Sequence, residues 1–252
     1  MTKTIDLKWL KKKLDDTVER DDKPRTYLGA SGLGDDCQRK VFYQFRHMFT
    51  DIPEPRLQRL FGRGHREEPV FIAALERCGI IVHTEDPETG KQYRVTDFEQ
   101  HFGGSLDAVL EFPATIFCDI PSALAEFKTY NDSRFQTLRK EGVRVSDPKY
   151  YKQMQLYMGY MELTWALFCA VNKNDDELYF EVVMFNRSEF EKMQNLAGVI
   201  IMARKPLPRL SDQPTFWKCK WCKASAICHK KAAPEKNCRS CQHAFPDVGG
   251  KW

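Results

Sequence analysis

Two short stretches decide how the middle of this chain folds: Gly104-Ser105-Leu106-Asp107 and, after a short interval, Glu126-Phe127-Lys128. The run 105–112 is rich in strand-forming residues and is followed by a proline, which predicts a strand that carries the aspartate. In the second strand, alternate residues point to one face, so the glutamate and lysine project together while the phenylalanine turns into the core.

Two carboxylates and an ammonium group that converge at the edge of a sheet predict a site for a hard divalent cation and a phosphate. This combination indicates nuclease chemistry. A simpler interpretation of Asp107, Glu126 and Lys128 is a solvent-facing strand edge with a cross-strand ion pair, since such patterns arise easily in a chain with 29% charged residues.

The bulk composition sets the class of protein. The chain has 252 residues, 42% of them hydrophobic, and a formal net charge of +4. This is enough for one sizeable core with a small appendage, and the charge is mildly consistent with an anionic partner. There is no run long enough to span a bilayer, and the polar start is unlike a secretory signal, so we expect a cytoplasmic protein without a membrane partner.

Helical and strand-like patterns alternate along residues 1–205, which predicts an α/β domain with a mixed sheet flanked by helices. A turn at Asp86–Gly90 predicts that Ile80–His83 and Gln92–Val95 form a hairpin. We expect the segment Ser133–Val145 to form a flap over a substrate. Residues 206–252 are rich in Cys, Lys and Trp with little periodicity, which predicts a small metal-stapled appendage.

Two helices carry further polar candidates. His65, followed by Glu67 and Glu68, could join the carboxylates around an ion, and an imidazole suits Mn²⁺ somewhat better than Mg²⁺. Gln153 and Tyr157 are four residues apart on the same helical face and could hold a carboxylate or donate to a phosphate. The alternatives are a surface or capping histidine and an ordinary polar patch.

Four motifs follow one another along the chain: a glycine followed by His/Glu in a helix, then G-x-x-D, E-x-K and Q-x-x-x-Y. In this order they resemble the PD-(D/E)XK nuclease superfamily in its RecB-like exonuclease branch. The resemblance extends from about Ser31 to Cys228. Leu106 stands where the family usually has a proline. The resemblance implies a restriction-endonuclease-like mixed sheet and a metal-dependent deoxyribonuclease.

The resemblance also implies roles for individual residues. His65, Asp107, Glu126 and the backbone carbonyl of Phe127 would hold one or two Mg²⁺ or Mn²⁺ ions. Lys128 would orient the attacking water or stabilise charge on the scissile phosphate. The remaining two candidates, Gln153 and Tyr157, would brace the site and contact the DNA backbone.

Six of the nine cysteines lie in polar segments, which without an export signal favours metal binding over disulfides. We expect the other three, Cys78, Cys118 and Cys169, to be core residues. Cys219, Cys222 and Cys228 have C-x2-C-x5-C spacing, and a cubane cluster needs a fourth thiolate, for which Cys37 is the candidate. One remote cysteine plus such a triplet resembles the pattern of the iron–sulfur RecB-like nucleases. These include the AddB nuclease domain and the CRISPR-adaptation exonucleases with their phage relatives. The resemblance implies a [4Fe-4S] cluster.

A structural Zn²⁺ site that uses His229 is the alternative for the same triplet. Cys238 and Cys241 have zinc-knuckle spacing but lack a second pair before Trp252. They would bind Zn²⁺ with His229 or His243, bind it in a longer natural protein, or be free surface thiols.

Basic residues cluster in three segments, of which Lys218–Lys231 interleaves lysines with Trp217 and Trp221 and suits single-stranded DNA. The expected substrate is DNA, as single strands or ends. The resemblance implies phage or prokaryotic recombination, repair or CRISPR adaptation, with an annealing protein, a helicase or CRISPR-adaptation proteins as partners. A non-catalytic DNA-binding adaptor and a site-specific endonuclease are the alternatives.

Overall fold

A computed structural model describes residues 6–18, 24–113 and 122–252. Its helices are α1 (Leu7–Asp16), α2 (Ala30–Leu33), α3 (Gln38–Phe45), α4 (Pro55–Arg77), α5 (Asp132–Glu141), α6 (Val143–Ser146), α7 (Pro148–Met161), α8 (Arg187–Met202), α9 (Trp217–Lys220) and α10 (Ser225–Lys230), with a 3-10 turn at Val248–Gly250. Its strands are β1 (Leu28–Gly29), β2 (Ile81–His83), β3 (Glu85–Asp86), β4 (Lys91–Gln92), β5 (Arg94–Asp97), β6 (Phe102–Ser105), β7 (Ala108–Glu111), β8 (Ser122–Tyr130), β9 (Trp165–Asn172) and β10 (Leu178–Met184).

A five-stranded mixed sheet forms the centre of the fold, in the order β10-β9-β8-β7-β2. β8 runs parallel to β9, while the other neighbours are antiparallel. Helix α4 packs against β8 and β2, and α7 also packs against β8. The α/β fold with a mixed sheet flanked by helices is therefore confirmed. None of the described helices combines the length and the apolar character needed to cross a membrane.

The sheet separates two hydrophobic clusters, and the alternation of side chains along β8 explains why. Phe127 lies in the cluster under α4, where its ring stacks on Phe71 with centroids 5.3 Å apart. Leu124 and Tyr130 lie in the larger cluster beneath α3, α7 and α8. Glu126 and Lys128 share the face of these even-numbered residues, so they point toward α7.

The predicted strand 105–112 is interrupted, because the chain changes sheets within it. β6 pairs with β1 and β5 in a separate three-stranded sheet, whereas β7 pairs with β2 and β8 in the central one. Leu106 and Asp107 form the bend between them. Asp107 therefore lies at the junction of two sheets rather than within a strand.

The predicted hairpin of Ile80–His83 with Gln92–Val95 is wrong. β2 pairs with β7 and β5 pairs with β6, so each segment takes a partner that is distant in sequence. The turn instead closes the short pair β3–β4, where Asp86 accepts a hydrogen bond from the Glu88 N–H at 2.8 Å.

Two smaller expectations also differ from the structure. The segment Ser133–Val145 is not a flap: it forms α5 and part of α6, which are held by three fully buried side chains, Phe135, Leu138 and Val143. Among the cysteines expected in the core, Cys169 is buried, Cys78 is exposed and Cys118 lies outside the described residues.

The tail after α8 packs on α3 through two arginines. The fully buried Arg46 donates to the carbonyl oxygens of Ala203 at 2.7 Å and Arg239 at 3.0 Å. Arg239 donates in return to the Phe45 carbonyl at 3.0 Å. Both guanidinium groups contact the Trp252 ring, at 4.7 and 4.9 Å from its centroid. This junction, which we call the tail clasp, consists of Arg46, Arg239 and Trp252.

Candidate active site

Strand β8 brings Glu126 and Lys128 into the interior of the molecule. β8 lies between β7 and β9, so the two residues occupy a central strand and not a sheet edge. Glu126 has no exposed surface, and the Lys128 side chain is only 20% exposed. This burial excludes the interpretation of a solvent-facing strand edge.

Asp107 reaches this strand from the bend between the two sheets. Its Oδ2 accepts a hydrogen bond from the Phe127 N–H at 2.9 Å and lies 3.4 Å from Lys128 Nζ. The backbone contact fixes the carboxylate at the level of Glu126 and Lys128. The three residues that the sequence singled out first are therefore in one place.

Three oxygen atoms surround the lysine ammonium group. Lys128 Nζ lies 2.6 Å from Glu126 Oε1, 2.8 Å from the Phe127 carbonyl oxygen and 3.4 Å from Asp107 Oδ2. Burial by itself would lower the pKa of Lys128, but the Glu126 and Asp107 carboxylates outweigh it and raise that pKa. The lysine is therefore charged, and it lies in a pocket of hard oxygen atoms suited to a cation.

The electrostatic balance at Glu126 is the reverse. Burial raises the pKa of Glu126 to about 7 even though the Lys128 charge lowers it, and the negative charges of Asp107 and Glu68 raise it further. A carboxyl group in this position needs additional positive charge to stay ionised. The site is therefore short of positive charge.

Gln153 and Tyr157 project from α7 toward these groups. Gln153 Nε2 donates to the Glu126 oxygens at 3.0 and 3.3 Å, while its own Oε1 is buried without a hydrogen-bond partner. Tyr157 is 2% exposed and packs on Gly104, where an added Cβ would lie 2.5 Å from the phenol oxygen. Only glycine fits there. Burial, and then the Glu126 and Asp107 charges, raise the pKa of Tyr157, so its hydroxyl remains protonated.

His65 takes a different position from the other candidates. Its side chain is 76% exposed, and Nδ1 lies 3.1 Å from Glu68 Oε1. In the described residues, no hydrogen bond or ion pair joins it to Asp107 or Glu126. Helix α4 instead brings Glu68 close enough to add negative charge at Glu126.

Few side chains at this site lie where they could bind an ion together. Across 6–18, 24–113 and 122–252, no three His, Cys, Asp or Glu side chains are arranged to hold an ion. For an ion to bind here, the Phe127 carbonyl or a changed side-chain conformation at Glu68 or His65 would have to supply a third ligand.

Sequence reasoning missed Tyr150, which lies next to the lysine. Lys128 Nζ is 5.1 Å from the centroid of its ring. Tyr150 precedes Gln153 by three residues and Tyr157 by seven, so helical spacing would have placed it on the same face.

The four predicted cluster cysteines, Cys37, Cys219, Cys222 and Cys228, line one cavity of about 510 Å³. Cys219 is buried and the other three are half-buried. Burial raises the pKa values of Cys219 and Cys222, and the charge of Cys37 adds to both shifts. Cys37 and the distant C-terminal triplet thus line a common space, which an ion pair between Lys218 and Asp36 helps to hold together.

Cys238 and Cys241 do not line this cavity, and both are exposed. The Cys241 carbonyl oxygen accepts a hydrogen bond from Arg46. Of the histidines considered for a zinc site with them, His229 lines the cysteine cavity and His243 contacts Gln242. In the described parts of the chain, neither histidine is gathered with these two thiols around a metal position.

Comparisons with known proteins give structural neighbours only. No known family model matches the sequence, and no curated protein matches it. An alkaline exonuclease, LHK-Exo from Laribacter hongkongensis, is 18% identical over 75% of this chain and 90% of its own, with a TM-score of 0.49. Its complex with dAMP gives 17% identity, 69% and 86% coverage and a TM-score of 0.45.

A further neighbour, SSO0001, is 17% identical over 89% of this chain and 96% of its own, with a TM-score of 0.49. At this level of similarity, the functional conclusion depends on the geometry of the site.

Proposed function

We propose that this protein is a divalent-metal-dependent DNA exonuclease that hydrolyses phosphodiester bonds. One observation carries the proposal: the Lys128 ammonium group lies among the Glu126 and Asp107 carboxylates and the Phe127 carbonyl. A buried lysine beside two acids has no structural need that apolar residues would not meet better. The same groups are suited to binding a cation and a phosphate side by side.

The residues present fit a Mg²⁺ or Mn²⁺ ion. Apart from the His65 imidazole, the available donors are hard oxygens, and Glu126 is deficient in compensating positive charge. When bound, the ion would lower the pKa of an attacking water and offset charge on the non-bridging phosphate oxygens. Asp107, Glu126 and the Phe127 carbonyl would hold it, with Glu68 or His65 completing the set.

The remaining groups act on the substrate and on the acids. Lys128, displaced toward the phosphate, would orient the water or stabilise charge that develops in the transition state. Gln153 holds the Glu126 carboxylate in position through its amide. Tyr157 stays neutral and supports the bend that carries Asp107 through its contact with Gly104. Because Gln153 and Tyr157 are both buried, we assign them to bracing the site rather than to DNA contact.

We propose a [4Fe-4S] cluster for the cysteine cavity. Four thiols line one space of about 510 Å³, and a cubane cluster requires four thiolates, which supports this proposal. Among the described residues the thiols are not yet gathered around one metal position, so binding of the cluster would have to draw them together. A Zn²⁺ ion held by three of them and His229, which lines the same cavity, is the alternative. A cluster would staple the tail to α3 through Cys37, which immediately precedes that helix, whereas a Zn²⁺ ion held by the triplet and His229 would stabilise the tail alone.

The proposed substrate is DNA, as single strands or ends, in phage or prokaryotic recombination, repair or CRISPR adaptation. An annealing protein, a helicase or CRISPR-adaptation proteins would then be its partners in a cytoplasmic setting. These assignments come from the motif resemblance.

The test is release of nucleotides from an end-labelled DNA strand in Mn²⁺. Wild type should release them, and Asp107→Ala, Glu126→Ala and Lys128→Ala should not, while circular dichroism shows that all remain folded. Unchanged rates in all three variants would refute the assignment. A wild type that binds DNA without cutting it would indicate an adaptor, and cleavage of closed circular DNA would indicate an endonuclease.

A further inference from the structure

Two tryptophans in the cysteine-rich tail are unusually exposed. Trp217, the first residue of α9, is 65% exposed, and Trp221, just after it, is 78% exposed. They are four residues apart, and Trp221 immediately follows the turn that Trp217 begins. Each ring also has a cation beside it: Lys218 Nζ is 4.9 Å from the Trp217 centroid, and Lys220 Nζ is 5.2 Å from that of Trp221.

An isolated exposed aromatic residue is ordinary, but these two line the rim of a cavity. The cavity of about 510 Å³ that contains the four cluster cysteines is lined by Trp217, Trp221, Pro148 and Lys149. The next residue of α7 is Tyr150, whose ring faces Lys128. The start of α7 therefore connects the tryptophan surface with the candidate active site.

The charge of the cavity suits a polyanion. Its Lys and Arg side chains outnumber its Asp side chains by six to four. Three of the acids are already paired with a cation: Asp35 with Lys40, Asp36 with Lys218, and Asp147 with Arg134. The cations Arg39, Lys149 and Lys223 also line the cavity, and phosphates that cross its mouth, outside the space proposed for the cluster, would meet this positive charge.

We propose that Trp217 and Trp221 form a stacking platform for single-stranded DNA on its way to the candidate active site. The inference rests on the proposed nuclease function and narrows its substrate class. Unpaired bases offer their faces to aromatic side chains, whereas the bases of a duplex are stacked on each other. Lys220, which lies beside the Trp221 ring, would contact a phosphate between the stacked bases.

The experiment measures the affinity for a labelled oligothymidine of about 20 nucleotides in EDTA, where an ion-dependent nuclease leaves it intact. Trp217→Ala and Trp221→Ala should each weaken binding about fivefold or more, and Trp221→Phe should retain most of the affinity. Affinity for a blunt duplex should change much less. The control is Trp9→Ala, which removes a tryptophan that is 56% exposed on α1.

Alanine variants that bind the oligothymidine as tightly as Trp9→Ala would overturn the platform. Equal losses for single strands and duplex would do the same, because stacking on unpaired bases would then not account for them. A second substrate, a p-nitrophenyl ester of thymidine monophosphate, is too short to reach the tryptophans. Its hydrolysis therefore tests the nuclease assignment independently of the stacking platform. If wild type hydrolyses neither the ester nor DNA in Mn²⁺, the proposed function fails, while the binding comparison still decides the platform.

Discussion

The Gln153→Ala substitution tests whether α7 holds the Glu126 carboxylate in a cation-binding state. Gln153 Nε2 donates to both carboxylate oxygens, and Glu126 is fully buried. A hydrogen bond to a charged group contributes about 1.5–3 kcal/mol, so losing it disfavours the ionised form by roughly 10- to 150-fold. The pKa of Glu126, already raised to about 7, would rise further, because a donor to the charged form is removed.

We therefore expect the Mn²⁺ concentration for half-maximal nucleotide release at neutral pH to increase by about tenfold to a hundredfold. A matched control lies two residues along the same helix. Gln155 is also fully buried, but it donates to the Met184 carbonyl at 3.0 Å and accepts from the Asn186 N–H at 2.7 Å. Gln155→Ala should lower the free energy of unfolding in urea by about 1–3 kcal/mol, because it also removes buried hydrogen bonds, but it should not change the Mn²⁺ requirement.

The assay compares both variants with wild type in a Mn²⁺ titration and in urea unfolding. A Mn²⁺ requirement that moves equally in the two variants would mean that it reports general destabilisation. No movement in Gln153→Ala would mean that its amide does not control the carboxylate. Either result refutes the proposed role of Gln153.

Two further perturbations test other parts of the molecule. Cys37→Ser should abolish the broad absorption near ~400 nm of anaerobically purified protein, and a colourless wild type that contains zinc would contradict the cluster assignment. His101, which is 1% exposed, has a pKa lowered from 6.5 by burial against the opposing effect of its hydrogen bond to the Asp247 carbonyl. Folding favours the neutral imidazole of His101. The stability that this preference contributes is present above the pKa of His101 in the unfolded chain, and it is lost as pH falls through the lower pKa of His101 in the folded protein. Thermal unfolding between about pH 7 and about pH 5 should therefore depend less on pH in His101→Gln, and identical slopes would refute this.

Much of the central fold follows from local patterns. Strand geometry predicts that Glu126 and Lys128 share a face of β8 opposite Phe127, and the helical patterns within residues 1–205 correspond to helices such as α7 and α8. The bend at Asp107 could not be predicted in this way, because residues on both sides of it have the same strand-like character. The choice of sheet is made by partners distant in sequence, and this also explains why the predicted hairpin is wrong.

The candidate site likewise combines residues that the local sequence marks with residues that only the folded structure selects. Asp107, Glu126 and Lys128 are marked by residue type and spacing, whereas helix α4 offers His65 and Glu68 without an obvious choice. A signal does exist, since Glu68 precedes Phe71 by three residues and Leu75 by seven, and both of these are buried against the sheet. His65 lies one turn further from that buried stretch and is solvent-exposed.

The tail clasp has a consequence for how the protein is made. Arg46 lies 193 to 198 residues before three of the tail carbonyls that accept its hydrogen bonds. Closing so long a loop is slow and entropically unfavourable until other contacts exist. During translation, Arg46 leaves the ribosome long before these acceptors, so its guanidinium group must remain hydrated until residues 239–244 have emerged as well.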